Sequence, residues 1–279
     1  MADILFIGGD RRMVCAAELI SQSGSVHAVG LGSGLSKTSE PSEKYGRIVL
    51  PVPFSRDGVN INAPLSEKPL PLEMITEYAC DGAQVFSGGA SPRLETLCEA
   101  RGLRLVNYMA MEELTLKNAL LTAEGAVSLL ISEYPGALFD STAVITGYGR
   151  IARYLARLLQ AFRCRVTIAA RNPLQREAAM LDGFCTLPSE LCGLAAASAD
   201  LVINTVPAAL FTEEIFGRMR KGSVYMELAT RTEVPEKQWA ESFGITYIAA
   251  GGLPGRFSPK TAGEAIAQAV ISAGCCGTH

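Results

Sequence analysis

Three residues in the run ITGYGRIARYLARLLQAFRCRVTIAAR, residues 145–171, have the types and spacing to bind a diphosphate. Gly147, Gly149 and Ala152 form GxGxxA between a strand-like run and a helical one. The first glycine permits a tight turn, the second lets backbone amides approach the anion, and the small third residue lets helix and strand pack closely. The helix dipole then faces the bound negative charge. Where the second strand of such a unit ends, an acidic residue commonly accepts hydrogen bonds from ribose hydroxyls. Here the sequence reads AARNP, so Arg171, with Asn172 beside it, offers a planar fork of donors suited to a ribose phosphate. The pattern predicts NADP rather than NAD as cofactor. The unit's fourth strand ends in NTVP, which places Thr205, Val206 and Pro207 on the nicotinamide ribose side.

Other residues suit anionic substrates. In AAGGLPGRFSPKTAGEAIAQAV, from Ala249, Gly251, Gly252, Pro254 and Gly255 predict a tight turn, with Lys260 and Thr261 at the start of the next helix. A cation beside free helix amides is a carboxylate site. IGGDRR sets Asp10, Arg11 and Arg12 at the end of the first strand, where Arg11 or Arg12 can hold a carboxylate with two donors. VFSGG repeats the design with Ser87 and Gly88. GSGLSK, residues 32–37, has the wrong spacing for a phosphate-binding Walker loop. The only histidines are His27 and His279, which argues against a hydroxy-acid dehydrogenase that works through an imidazole. Eight cysteines, without a CxxC pair, read as buried reduced thiols, and no metal site is expected.

These positions require alternating strands and helices, and the pattern occurs twice. Strands are predicted at 4–9, 26–30, 47–52, 83–89 and 103–108, then at 142–146, 165–170, 201–206, 223–229 and 245–250. The expected fold class is α/β, two Rossmann-like domains with parallel sheets and an interdomain cleft. Residues 1–121 form the first domain and 122–260 the second. A linking helix spans 122–134, capped by Thr122, and the final helix, 261–279, is expected to pack back on the first domain. Ser91 and Pro92 open another helix, and residues 33–71 read as a loop around one strand. Ile151, Leu155, Leu158 and Phe162 are expected to form the buried stripe of the helix after GxGxxA, with Arg150, Arg153 and Arg157 on another face.

The composition is that of a folded globular chain, with 279 residues, 48% hydrophobic and 19% charged. A net charge of -3 and scattered basic residues argue against nucleic acid as a partner. No apolar run approaches the ~20 residues of a membrane span, and no signal peptide is evident, so the reading is a cytoplasmic protein.

IGGDRR, LTAEGAV, GYGRIA, NTVP and GLPGRFSPKTAG, in this order, resemble the A-subunit family of dipicolinate synthases over nearly the whole chain. More distantly, the chain is similar to shikimate and alanine dehydrogenases. The resemblance implies oxidation of dihydrodipicolinate to dipicolinate, pyridine-2,6-dicarboxylate, with NADP in the mother cell of a sporulating bacterium. It also implies a flavoprotein-like second component, the B subunit of the synthase, and it allows a homo-oligomer. GYGRIA lends cofactor roles to Gly147, Gly149, Arg150 and Ile151. IGGDRR and SPKTAG lend substrate roles to Arg11, Lys260 and Thr261, with Ser87, Gly88 and Thr122 completing the expected set. Asp10 or water is expected to take the proton, and Asp10 and Lys260 form the candidate catalytic pair. The alternatives are a self-sufficient dehydrogenase of the shikimate or alanine type, and a non-catalytic subunit that binds NADP.

Overall fold

The computed structural model describes residues 4–32, 44–230 and 235–275. GSGLSK beyond Gly32, together with Cys276 and His279, lies outside them. The chain divides into two units, one gathering Met1–Asn118 with Pro254–His279 and the other comprising Ala119–Leu253.

The first unit begins β1 (Ile4–Ile7), α1 (Arg11–Ser21), β2 (Val26–Val29) and β3 (Tyr45–Val49). A hairpin of β4 (Asn60–Ile61) and β5 (Leu70–Pro71) follows, then α2 (Met74–Tyr78), β6 (Ala79–Ser87), α3 (Pro92–Glu99) and β7 (Arg104–Asn107). The five main strands are parallel, in the order β2-β1-β3-β6-β7. Ile4, Phe6, Val49 and Phe86 enter one apolar layer with α1, while Leu5, Ile7, Ile48 and Val85 enter the other with α3 and the hairpin. Burial on both faces is why these strands read as continuous apolar runs. Ser91 accepts from the Leu94 amide at 3.2 Å, and Pro92 occupies the first turn of α3.

Helix α4 runs from Glu112 to Glu133, ten residues earlier than the linking helix read from sequence. EELTLKNALL is itself a helical run, and Glu112 and Glu113 favour the positive end of the helix dipole. Thr122 is therefore a buried residue inside α4, not its cap. By length and composition α4 is apolar enough to cross a membrane, with mean hydropathy 1.3, which corrects the expectation that no such run exists. Half of that stretch is buried inside the protein, as in a core helix.

The second unit holds β8 (Thr142–Thr146), α5 (Arg150–Ala161), β9 (Arg165–Ala169), α6 (Pro173–Leu181), β10 (Cys185–Leu187), α7 (Cys192–Ala196), β11 (Leu201–Asn204), α8 (Glu213–Arg218), β12 (Val224–Glu227), α9 (Glu236–Phe243) and β13 (Thr246–Ala249). All six strands are parallel, in the order β10-β9-β8-β11-β12-β13. This is the doubly wound arrangement whose direction reverses between β8 and β11, where ligands bind beyond the strand ends. The buried stripe of α5 is Ala152, Leu155, Ala156 and Leu159. It is shifted from the sequence reading because the small Ala152 must face the sheet, and Phe162 is 43% exposed at the helix end.

The chain closes with α10 (Leu253–Phe257) and α11 (Pro259–Cys275). The glycine-rich segment is thus partly a helical turn. Helix α11 lies with the first unit, where Ile266 and Val270 share an apolar layer with Met13, Ala16 and Ala17 of α1. The thiols of Cys15, Cys80, Cys98, Cys164, Cys185 and Cys192 are free. Burial pushes Cys98 up to about 11, and Cys164 and Cys192 upward as well, so these three are poor nucleophiles.

Candidate dinucleotide site

At the end of β8 the chain turns through Gly147 with φ at 78°, where a Cβ would meet Val206 Cγ1 at 2.6 Å. Glycine is required on both counts. Gly149 differs. It is the N-cap of α5 in extended conformation, and it places no side chain over the first helical amides. A Cβ there would have no neighbour within 4 Å, and the first turn carries no acidic residue. Open space and a first turn without a side-chain cap, at the positive end of a twelve-residue helix, suit a diphosphate.

A cavity of about 530 Å³ adjoins this turn, lined by Gly147, Arg171, Asn172, Gln175, Val206 and Pro207. The Arg171 side chain is exposed on it and makes no ion pair among the described residues. Asn172 caps α6 by accepting from the Leu174 amide at 2.9 Å. Arg176 donates to the carbonyls of Ala170 at 2.7 Å and Arg171 at 2.9 Å, which braces the turn that presents Arg171. Arg150 is exposed in the first turn of α5 and Ile151 is half-buried. The Thr205 hydroxyl donates to the Thr146 carbonyl at 2.6 Å and so secures the strand end. The residues present therefore fit a nicotinamide dinucleotide.

Sequence reasoning passed over the middle residue of GYG. Tyr148 is 1% exposed, and its hydroxyl donates to Asp182 Oδ2 at 2.5 Å. The Arg153 guanidinium lies 5.1 Å from the Tyr148 ring centre, and Arg157 reaches Asp182 at 3.2 Å. The phenol bolts the glycine turn to the end of α6, the helix whose start carries Arg171. The hydrogen bond from Tyr148 holds the Asp182 carboxyl below its ordinary range, and burial raises Tyr148. Tyr148→Phe is expected to cost about 1 kcal/mol, the order of a partly exposed bond to a charged group. An acid whose folded value is lowered stabilises above its ordinary range, and that contribution is lost as pH falls through the folded value. The gap in urea midpoint between wild type and Tyr148→Phe should thus be full at neutral pH and close below about pH 4. A gap that is unchanged in acid would show that Asp182 is not the partner that matters.

The first unit places the remaining candidates. Asp10 caps α1, and both of its oxygens accept from Arg12, at 2.9 Å and 3.1 Å to Nε and 2.8 Å to Nη2. Arg12 is 6% exposed and also donates to the Val52 carbonyl. A Cβ on Gly255 would lie 2.6 Å from Asp10 Oδ2, so GLPG is glycine at its fourth position because it rests on this ion pair. Asp10 is accordingly held as a brace between α1 and the Arg12 guanidinium. Arg11, Lys260 and Thr261 are exposed in the first turns of α1 and α11. Ser87 is 0% exposed, with no hydrogen-bond partner for its hydroxyl among the described residues. Gly88 is packed so closely that a Cβ would lie 2.2 Å from the Pro51 carbonyl oxygen. Ser87 and Thr122 are thus buried and Gly88 is closely packed in this structure.

Residues 3–109 match the family profile of the dipicolinate synthase A-subunit N-terminal domain, and residues 128–238 match "D-isomer specific 2-hydroxyacid dehydrogenase, NAD binding domain". The second match makes this unit a nicotinamide-dinucleotide domain of an oxidoreductase. The A subunit of dipicolinate synthase from Bacillus subtilis (strain 168) is 25% identical over 279 residues, 95% of this chain and 93% of that protein. The crystal structure of the dipicolinate synthase A subunit from Bacillus halodurans has a TM-score of 0.86 at 23% identity, covering 97% of each chain. The corresponding crystal structure from Bacillus subtilis has a TM-score of 0.82 at 23% identity, covering 99% of this chain and 97% of that one. With both domain families present in order and the similarity running nearly end to end, the chain is a relative of the dipicolinate synthase A subunit.

Proposed function

We propose that the chain works as the NADP-dependent subunit of a dipicolinate synthase, oxidising dihydrodipicolinate to dipicolinate. It would act with a flavoprotein-like second subunit in the cytoplasm of a sporulating mother cell. The observation that carries the reading is the exposed Arg171 guanidinium on the same cavity as the glycine turn, in a chain whose first domain resembles dipicolinate synthase. Bound there, NADP supplies the acceptor for the hydride that leaves the dihydropyridine ring; one proton leaves with it, and the product ring is aromatic.

The chain's own residues bind and orient. The α5 amides beyond Gly149 would hold the diphosphate, Arg171 would pair with the ribose phosphate, and Val206 and Pro207 would wall the nicotinamide end. In the first unit, Arg11 and the Lys260 and Thr261 turn are the exposed groups available to substrate carboxylates. Because Asp10 is held by Arg12, the proton is assigned to water. Aromatisation makes a strong protein base unnecessary, in keeping with a chain that has two histidines.

Fluorescence titration with NADPH and NADH tests the cofactor. Arg171→Ala is expected to weaken NADPH by roughly 10- to 100-fold, the worth of one charge-assisted pair, and to leave NADH within about twofold. Equal losses for both would overturn the preference for NADP. Turnover is tested with the second subunit present. Dipicolinate appearing without stoichiometric NADPH would overturn hydride transfer to this cofactor.

A further inference from the structure

Three polar residues lie at one register across the strands beside the switch point. Asn204 on β11 is paired with Thr146 on β8 and with Glu227 on β12. Their exposures are 0%, 0% and 5%. Buried polar side chains in the middle of a parallel sheet are costly unless their hydrogen bonds are made, and a buried carboxylate most of all. Here they are made in one direction. The Asn204 amide nitrogen donates to both Glu227 oxygens at 3.0 Å, and the same carboxylate accepts from the Ala229 amide at 3.0 Å and the Tyr225 hydroxyl at 3.2 Å. The Asn204 Oδ1 is thereby turned the other way, where it accepts from the Thr146 hydroxyl at 2.6 Å and the Val206 amide at 3.2 Å. The Thr146 oxygen in turn accepts from the Thr205 amide at 3.2 Å.

A flipped Asn204 would set its carbonyl against the carboxylate and its NH₂ against the Val206 N–H, so Glu227 fixes which way the amide points. What the amide holds is the strand end whose Val206 side chain packs beside Gly147 and lines the cavity. We propose that Glu227 and Asn204 are positioning residues for the dinucleotide, setting the Thr205 to Val206 strand end against the glycine turn; this rests on the cofactor reading above. Neither residue needs to touch the cofactor. Their role is to keep one wall of its site in register with the other, a job for which buried, fully bonded groups are suited.

The test is a charge relocation. In Glu227→Gln one of the two oxygens that accept from Asn204 becomes an NH₂ and the negative charge is lost, so the partner that orients Asn204 is weakened. Adding Asn204→Asp restores the polarity in reverse: the new amide on β12 donates to the new carboxylate on β11, whose other oxygen again accepts from Thr146 and Val206. Two readouts are taken, dinucleotide affinity by fluorescence titration and exchange protection of the Val206 amide without cofactor. Glu227→Gln is expected to lose about tenfold in affinity together with Val206 protection, and the double variant to regain both to within about threefold. A folded Glu227→Gln protein with wild-type affinity would overturn the proposal and leave the rung a stabilising feature only. So would a folded double variant that regains neither readout. Wild-type protein that binds no dinucleotide would overturn the functional reading itself, a result seen before any substitution is made.

Discussion

Replacing Gly149 with aspartate is expected to leave the second unit folded, and slightly more stable, while removing nearly all dinucleotide binding. The backbone at Gly149, with φ -81 and ψ -170, is open to any residue, and a Cβ there touches nothing within 4 Å. An aspartate at the N-cap accepts from the first-turn amides and favours the helix dipole, together worth up to about 0.5 kcal/mol over glycine. Those are the amides assigned to the diphosphate, and the new carboxylate repels it. Affinity should fall at least 100-fold, about 3 kcal/mol. Gly147 does not permit the same separation of folding from binding, because its positive φ and its contact with Val206 would make any side chain a folding defect. Calorimetry with and without NADPH reads both effects. If Gly149→Asp bound within threefold of wild type, the diphosphate would not lie at the start of α5.

The sequence carried this part of the site because GxGxxA encodes a local requirement, a turn and a close approach between neighbours in the chain. The same holds for Ser91 capping α3 and for strand runs that the sheet buries on both faces. What it hid was set by partners distant in the chain. Strand β10 has three residues, one exposed and two half-buried, which is too short to show a period. Thr122 followed by Glu124 imitates a helix start, yet a helix already under way absorbs both. Thr146, Asn204 and Glu227 each close an apolar run, and nothing in one run says that the three fall side by side; the strand order and register do. Tyr148 was invisible for a similar reason, since its partner Asp182 is 34 residues away.

IGGDRR poses the sharpest case of this kind, because two adjacent arginines have the same chemistry and opposite surroundings. Arg11 is exposed at the start of α1. Arg12 is buried, clasps both oxygens of Asp10, donates to Val52 and lies where Gly255 of the closing segment packs. Truncating Arg12 to alanine leaves Asp10 with the Arg12 backbone amide at 3.0 Å as its remaining named donor, and leaves the Val52 carbonyl without this one. Removing the buried guanidinium strands the half-buried Asp10 carboxylate, a loss of about 2 kcal/mol, the order of a hydrogen-bonded charged group. Arg12→Lys should recover only part of it, because an ammonium cannot reproduce the two-pronged contact. Two units need not unfold together, so the measurement is amide exchange resolved along the chain rather than a single melting point. Arg12→Ala should lower protection in β1, α1 and the Leu253–Phe257 turn while β8 and α5 keep theirs. Arg11→Ala should leave protection throughout as in wild type, and its effect should appear only with substrate. Equal protection maps for the two variants would mean that the Asp10 and Arg12 pair does not hold the closing segment to the first unit.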